Sequence, residues 1–149
     1  MIIGIGSDHG GFRLKEKIAA HLTEAGHDVR DYGTHSTDSC DYPQIALPLA
    51  KDVAGQNLER GILICGTGIG IGIAANKVPG VRAALCHDVF SARASREHNN
   101  ANVLTMGERI VGEGLALLIV DEWLAADFAG GRHARRVDEL TAIERGEGL

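Results

Sequence analysis

Short apolar runs alternate with segments of helical periodicity along this chain, and this alternation restricts the fold more than any other feature. Gly61–Cys65 (Gly-Ile-Leu-Ile-Cys) is the clearest apolar run and predicts a buried strand. Gly11–Ala25 carries Leu14, Ile18 and Leu22 at helical spacing and predicts an amphipathic helix. The other predicted strands are Ile2–Gly6, Asp28–Tyr32, Arg82–Cys86 and Asn102–Met106, and the other predicted helices are Tyr42–Ala54, Ile71–Lys77, Val89–His98, Gly112–Ala126 and Arg132–Arg145.

Five strands that alternate with helices predict an α/β fold, in which a five-stranded parallel sheet is covered by helices on both faces. The chain of 149 residues has the length of one domain, and no linker or repeat divides it, so we expect a single domain over 1–149. We expect the C-terminal helix, Arg132–Arg145, to bury Val137, Leu140 and Ile143.

Charge and cysteine content exclude several classes of partner. The net charge of −5 argues against nucleic acid or an anionic membrane as the main partner. The apolar runs are far shorter than a membrane span, and the amino terminus lacks the features of a signal peptide. Cys40, Cys65 and Cys86 form no CxxC pair. We therefore expect a cytoplasmic protein with reduced thiols.

Polar segments flank the predicted strands. In an open parallel sheet the ligand site lies beyond the carboxyl ends of the strands. Ser7–Gly11, Cys65–Gly72, Cys86–Asp88 and Gly107–Arg109 come at or after strand ends, and His98–Asn100 precedes the fifth strand. We expect these segments to gather at one edge of the sheet, with Asp8, Cys65 and His98 around one pocket.

Glycines alternate directly after the clearest strand, at Gly66, Gly68, Gly70 and Gly72. Such a turn, placed between a strand and a helix, can direct several backbone N–H groups and the positive end of the helix into one concave site. That site suits a phosphate or an oxyanion that develops during a reaction. Close packing of the strand on the helix would explain only one or two of these glycines.

A nucleotide site is the alternative use of this turn. The sequence lacks GxxxxGK[ST], which excludes a P-loop. Gly70–Ala75 matches G-x-G-x-x-A, and Asp88 lies at a plausible distance for a ribose-binding acid. The match begins too far into the predicted helix to favour a dinucleotide, but the alternative stays open.

Cysteine and histidine supply the candidate reactive groups. Cys65, between the strand and the turn, is either a nucleophile or general base or a small buried apolar residue, and the spacing does not decide. Cys86 is expected in the core and Cys40 in a loop. His9 and His98 are candidate acid–base groups, with His87 a weaker one. No spacing typical of a metal site occurs.

Arginines near the carboxyl terminus are candidates for anion binding. Arg132 and Arg136 are four residues apart, hence on one helical face, where paired guanidinium groups suit a phosphate. A solvated basic turn on an acidic protein is the competing interpretation.

Seven short motifs follow one another along the chain, and they are Ser7–Phe12, Asp41–Pro43, Cys65–Gly68, Ile73–Lys77, His98–Asn99, Asn102–Leu104 and Gly130–His133. In this order they resemble the type B ribose-5-phosphate isomerases, which are grouped with the galactose-6-phosphate isomerase subunits. The resemblance covers nearly the whole chain. It implies a Rossmann-like three-layer αβα fold, dimers or pairs of dimers with active sites built from two subunits, and no metal or organic cofactor.

The resemblance also implies a role for each candidate residue in isomerising ribose 5-phosphate to ribulose 5-phosphate. Cys65 would be the base at carbon, because the glutamate that some members use instead corresponds to Ile71 here. Thr67 would relay protons, His98 would open the furanose ring, and Asp8 would be a polar partner. The backbone amides of Gly66, Gly68 and Gly70 would hold the enediolate, His9, Arg109, Arg132, His133 and Arg136 would bind phosphate, and Asn99 and Tyr42 would contact sugar hydroxyls.

Two alternatives remain open from the sequence. The same chemistry serves galactose, allose or erythrose phosphates, and the sequence does not give the distance from phosphate to carbonyl that selects among them. A non-catalytic module that binds a sugar phosphate or a nucleotide could share the fold. Such a module would have no need for Cys65, Thr67 and His98 together.

Overall fold

Five parallel strands form the central sheet of the computed structural model, which describes residues 1–149. The pairing of neighbouring strands gives their order across the sheet, and the second and fourth strands lie at its two edges. The strands are β1 (Ile2–Ser7), β2 (Asp28–Asp31), β3 (Arg60–Cys65), β4 (Ala83–Leu85) and β5 (Val103–Gly107), arranged β2–β1–β3–β5–β4. The helices are α1 (Phe12–Glu24), α2 (Tyr42–Ala54), α3 (Ile69–Asn76), α4 (Val89–Asn99), α5 (Glu113–Ala125) and α6 (Arg132–Glu144).

Both faces of the sheet are buried, as the continuous apolar character of β1, β3 and β5 requires. Ile62 and Ile64 point into one core cluster, which also contains Trp123 of α5 and residues of α1 and α4. Leu63 and Cys65 point into the other, with residues of α2 and α3. The predicted three-layer α/β fold is therefore confirmed.

Most elements begin or end one residue from their predicted bounds, and the differences in β4, α3 and α6 have an identifiable structural setting. β4 spans three residues instead of Arg82–Cys86, because it lies at the edge of the sheet and pairs only with β5. α3 begins at Ile69, two residues before the predicted start. In α6 only Val137 is buried, whereas Leu140 and Ile143 are about half exposed, since α6 packs mainly on α4 and leaves part of its apolar face uncovered.

The sheet order places a switch point between β1 and β3. From β1 the chain moves outward to β2 on one side, then crosses to β3 on the other. The loops that leave β1 and β3 therefore run in opposite directions and open a crevice beyond the carboxyl ends of these two strands. No helix of the chain combines the length and the apolar character that crossing a bilayer requires.

Candidate active site

The thiol of Cys65 lies under the glycine turn at the end of β3. The residue is buried, with 6% of its surface exposed, and its Sγ accepts a hydrogen bond from the backbone N–H of Gly68 at 3.0 Å. Gly68 has a φ of +77° and precedes the first residue of α3. This left-handed conformation, which favours glycine, turns the chain back over the sulfur. A backbone N–H directed at sulfur stabilises negative charge on it.

The end of β5 presses on the backbone of the same turn. A Cβ on Gly107 would lie 2.6 Å from the Thr67 backbone and 2.7 Å from the Gly66 carbonyl oxygen, so only glycine fits there. From the other side, the hydroxyl of Thr105 donates a hydrogen bond to the Gly68 carbonyl at 3.0 Å. The turn is thus held by backbone packing, while the Thr67 side chain stays exposed at its tip and accepts from the Ile69 N–H at 3.2 Å.

Asp8 and His9 follow β1 and reach the glycine turn across the switch point. The buried Asp8 carboxylate accepts a hydrogen bond from the Gly10 N–H at 2.9 Å, which caps a single 3-10 turn. The position of a Cβ on Gly10 is 3.1 Å from the Gly66 nitrogen, so the two turns are in contact. His9 Nδ1 accepts a hydrogen bond from the backbone N–H of Cys40 at 3.2 Å.

Arg109 and Tyr42 lie against the two ends of the turn. The guanidinium of Arg109 packs on Gly66, 3.4 Å from where a Cβ would stand, and the Arg109 N–H donates to the Gly66 carbonyl at 3.1 Å. The Tyr42 ring covers Gly70, where a Cβ would lie 2.6 Å from the ring. The carboxyl edge of one chain therefore combines a thiol, a hydroxyl, a carboxylate, an imidazole, a guanidinium and a phenol.

His98 and Asn99 lie at the amino ends of the strands, on the side of the sheet opposite to Cys65. The expectation that Asp8, Cys65 and His98 surround one pocket within a chain is therefore corrected. His98 and Asn99 end α4, and α4 runs back from the carboxyl end of β4 to the start of β5. Just beyond them, the Asn100 carbonyl accepts from the Arg82 Nε at 2.9 Å, and Arg82 directly precedes β4. A residue that precedes a strand lies at its amino end, so His98 does not share a pocket with Cys65 of its own chain.

A second group of candidates surrounds His98. Its ring stacks on that of His133 at the start of α6, with centroids 4.4 Å apart. The pKa of His133 is lowered, first by partial loss of hydration and then by the positive charges of His98, Arg132 and Arg136. Neither Arg132 nor Arg136 forms a salt bridge within the chain, and nor does Arg109 at the other edge. These guanidinium groups are free to bind an anionic ligand.

Two contacts of the carboxyl edge were not anticipated from the sequence. His87 Nε2 accepts a hydrogen bond from the Gly107 N–H at 2.9 Å, which places this weaker candidate beside the glycine turn. Cys40, expected only as a loop thiol, touches His9 through its main chain. No sequence motif marks either contact, because both depend on where loops run in space.

Known proteins resemble this chain over nearly its whole length. A family model described as Ribose/Galactose Isomerase matches residues 3–140. Ribose-5-phosphate isomerase B of Escherichia coli is 54% identical, and the match covers 96% of each chain. A D-erythrulose-4-phosphate isomerase of Pectobacterium atrosepticum is 43% identical over 97% of this chain and 96% of its own.

A solved structure confirms the fold as well as the sequence likeness. The ribose-5-phosphate isomerase B of Clostridium thermocellum superposes with a TM-score of 0.97 at 57% identity, covering 98% of this chain and 99% of its own. Sequence and backbone therefore agree over nearly the whole length of the chain. The chain is therefore an isomerase and belongs to the ribose/galactose isomerase family.

Proposed function

We propose that this isomerase interconverts ribose 5-phosphate and ribulose 5-phosphate through an enediolate, with Cys65 as the base. The observation that carries the proposal is the Gly68 N–H directed at Cys65 Sγ at 3.0 Å, beneath a turn of further backbone amides. A base and a set of amides in one crevice are what aldose–ketose isomerisation needs. The substrate follows the names of the relatives from Escherichia coli and Clostridium thermocellum.

In the proposed reaction the Cys65 thiolate removes the proton from C2 of the open-chain aldose. The C2–H electron pair forms the C1–C2 double bond, and negative charge develops on O1. The amides of Gly66 and Gly70 stabilise that charge without reorganising, because the packing of Gly107 fixes the turn, while the Gly68 N–H stays on the sulfur. The proton then returns from the thiol to C1, while Thr67 relays a proton from O2 to O1, which gives the ketose.

The phosphate would be held at a distance from the reacting carbon. Its binding free energy can orient C1 and C2 against the thiolate, since remote contacts assist the chemical step. Arg109 lies on Gly66 at the correct edge for this role. Arg132, His133 and Arg136 lie at the opposite edge of the same chain, together with His98.

This separation favours a site shared between two copies of the chain. The carboxyl edge of one copy would supply Cys65, and the amino edge of the other would supply His98 to open the ring, Asn99 to contact sugar hydroxyls, and the arginines to bind phosphate. Ile69 and Ile73, one turn apart on α3 beside the glycine turn, are more than half exposed. A second copy would cover this apolar surface, as a homodimer or a dimer of dimers requires.

Mixed assemblies test both the reaction and the shared site. Cys65→Ser and His98→Asn chains are each expected to lack ribose 5-phosphate isomerisation, measured as ketose formation. Co-expressed chains, purified through two different tags, should recover activity, because one of the two sites in the mixed dimer then contains both native residues. A mixture of Cys65→Ser and Cys65→Ala chains is the control and should recover none. Failure of the first mixture would overturn the shared site.

A different aldose phosphate is the second candidate substrate. It is favoured by the 43% identity to a D-erythrulose-4-phosphate isomerase, which shows that a close likeness is compatible with another sugar. A panel of ribose, galactose, allose and erythrose phosphates, ranked by kcat/KM, decides between them. Membership in an isomerase family disfavours the third alternative, a module that binds without catalysis.

A further inference from the structure

The hydrogen bond between Cys40 and His9 defines which nitrogen of His9 carries the proton. His9 Nδ1 accepts the backbone N–H of Cys40 at 3.2 Å, and only an unprotonated ring nitrogen can accept. A neutral imidazole held in this way carries its proton on Nε2. No group of the chain is hydrogen-bonded to Nε2, so that N–H is available to a ligand in the crevice.

The loop that carries Cys40 is anchored at its base. Lys15, which is completely buried, donates from Nζ to Asp31 Oδ2 at 2.6 Å, and Asp31 Oδ1 accepts the Gly33 N–H at 2.8 Å. The Gly33 carbonyl in turn accepts the Ser7 N–H at 2.6 Å. Because Ser7 ends β1 two residues before His9, the loop and the histidine are fastened to the same strand end.

We propose that Cys40 is a positioning residue, whose backbone N–H fixes His9 as a neutral Nε2–H donor toward the phosphate of the substrate. The inference rests on the proposed function, in which His9 binds that phosphate. In the other tautomer Nε2 would present a lone pair to a phosphate oxygen, and the two would repel each other. Control by Cys40 therefore lets His9 bind an anion without first taking up a proton.

Nitrogen NMR of the imidazole gives a direct test. In ¹⁵N-histidine-labelled protein at a pH where His9 is neutral, the His9 signals are assigned by their loss in His9→Gln. We expect an unprotonated Nδ1 and a protonated Nε2. A proton on Nδ1 in the wild-type protein would overturn the proposal regardless of any variant.

Removal of the donor completes the test. Cys40→Pro deletes the backbone N–H, whereas Cys40→Ala deletes only the thiol and is the matched control. In Cys40→Pro we expect both tautomers, and a rise of about 10-fold in the KM for ribose 5-phosphate and in the inhibition constant of inorganic phosphate, with a smaller change in kcat. Cys40→Ala should match the wild type. An unchanged tautomer in a folded Cys40→Pro protein contradicts the proposal.

If Cys40→Pro does not fold, Asp31→Asn replaces it, because this change loosens the base of the loop and keeps every backbone N–H. It should mix the tautomers in the same direction, and a pure Nε2–H form would count against the anchored loop. The tautomer and the binding of inorganic phosphate need no turnover. A protein that isomerises no sugar phosphate but shows the expected tautomers would therefore refute the proposed function alone.

Discussion

The imidazole rings of His98 and His133 lie stacked, with centroids 4.4 Å apart and planes 12° from parallel, and so join the end of α4 to the start of α6. Two protonated rings at this distance repel each other, and Arg132 and Arg136 add to the positive charge around His133. Partial loss of hydration first, and these positive charges second, hold the pKa of His133 in the folded chain below its ordinary value of 6.5. We therefore expect a lower pH to disrupt the contact between His98 and His133 before it disrupts the hydrophobic core.

The free energy of unfolding is expected to decrease as the pH is lowered, because of His133. The unfolded chain takes up the His133 proton at a higher pH than the folded chain, so the contribution is complete above pH 6.5 and is lost as the pH falls below it. Urea unfolding between pH 8 and pH 5 measures the effect. His133→Asn should show a shallower loss over that range, and equal slopes in both proteins would contradict the assignment.

Gly107→Ala is predicted to disable the glycine turn. The added methyl would lie 2.6 Å from the Thr67 backbone, which cannot rotate away as a side chain can, so the amides above Cys65 must shift. We expect a loss of at least about 10-fold in kcat and about 1–3 kcal/mol in unfolding free energy. Gly148→Ala, where a Cβ meets nothing within 4 Å and no helix or strand is involved, is the control and should change neither. Kinetics and urea unfolding check both variants.

Cys65→Ser is predicted to remove turnover and keep the fold. Serine nearly conserves the shape of the side chain, but its hydroxyl supplies almost no anionic base at neutral pH. General acid–base catalysis contributes roughly 10²–10⁴-fold, and the fall in kcat should be of that order or larger. Circular dichroism and phosphate binding verify that the variant is intact. Cys86→Ser, also buried but not placed in the site, should keep its turnover, and high activity in Cys65→Ser would refute Cys65 as the base.

Cys86 is predicted to resist alkylation. Burial raises the pKa of its thiol to about 11, so at pH 8 it stays protonated, and the thiolate is the reactive form. Cys40 is only half-buried and serves as the internal reference. Iodoacetamide treatment followed by peptide mass spectrometry should show Cys40 modified well before Cys86. Equal rates at the two sites would show that the core around Cys86 opens readily.

Lys15→Met is predicted to destabilise the chain. The ammonium group is completely buried, and its loss leaves Asp31 without its 2.6 Å partner. One charged hydrogen bond in a partly exposed pair is worth about 1–3 kcal/mol, which thermal or urea unfolding can resolve. The matched control is Lys17→Met, because Lys17 is exposed on the same helix and makes no salt bridge. Equal stability of the two variants would mean that water solvates the Asp31 carboxylate sufficiently when Lys15 is absent.

Hydrophobic periodicity predicted the helices and strands of this fold, because the burial of apolar residues determines both the sequence pattern and the elements that form. Gly61–Cys65 is apolar throughout and became a strand buried on both faces, and α1 buries the residues that its spacing indicated. Periodicity cannot say what covers an apolar face. For that reason Leu140 and Ile143 of α6, expected inside, are half exposed.

The rule that sites lie at carboxyl ends of strands placed Asp8, Cys65 and Arg109 at one edge, as found. The same reasoning failed for His98, because this residue precedes a strand and a preceding residue lies at the amino end. The contact of Cys40 with His9 was beyond prediction, since the path of a loop without periodicity leaves no pattern in the sequence.

The contact of Gly107 with the Thr67 backbone also limits how such an enzyme can diversify. The surface that would stabilise the reacting oxygen consists of main chain packed on main chain, and no substitution at Gly107 can reshape it without displacing it. Mutations that leave this surface in place can therefore change only the side chains around it, such as Tyr42 and Arg109. Proteins that evolve on this backbone should keep the same reaction chemistry. Selection for a new sugar would act on the residues that surround the glycine turn.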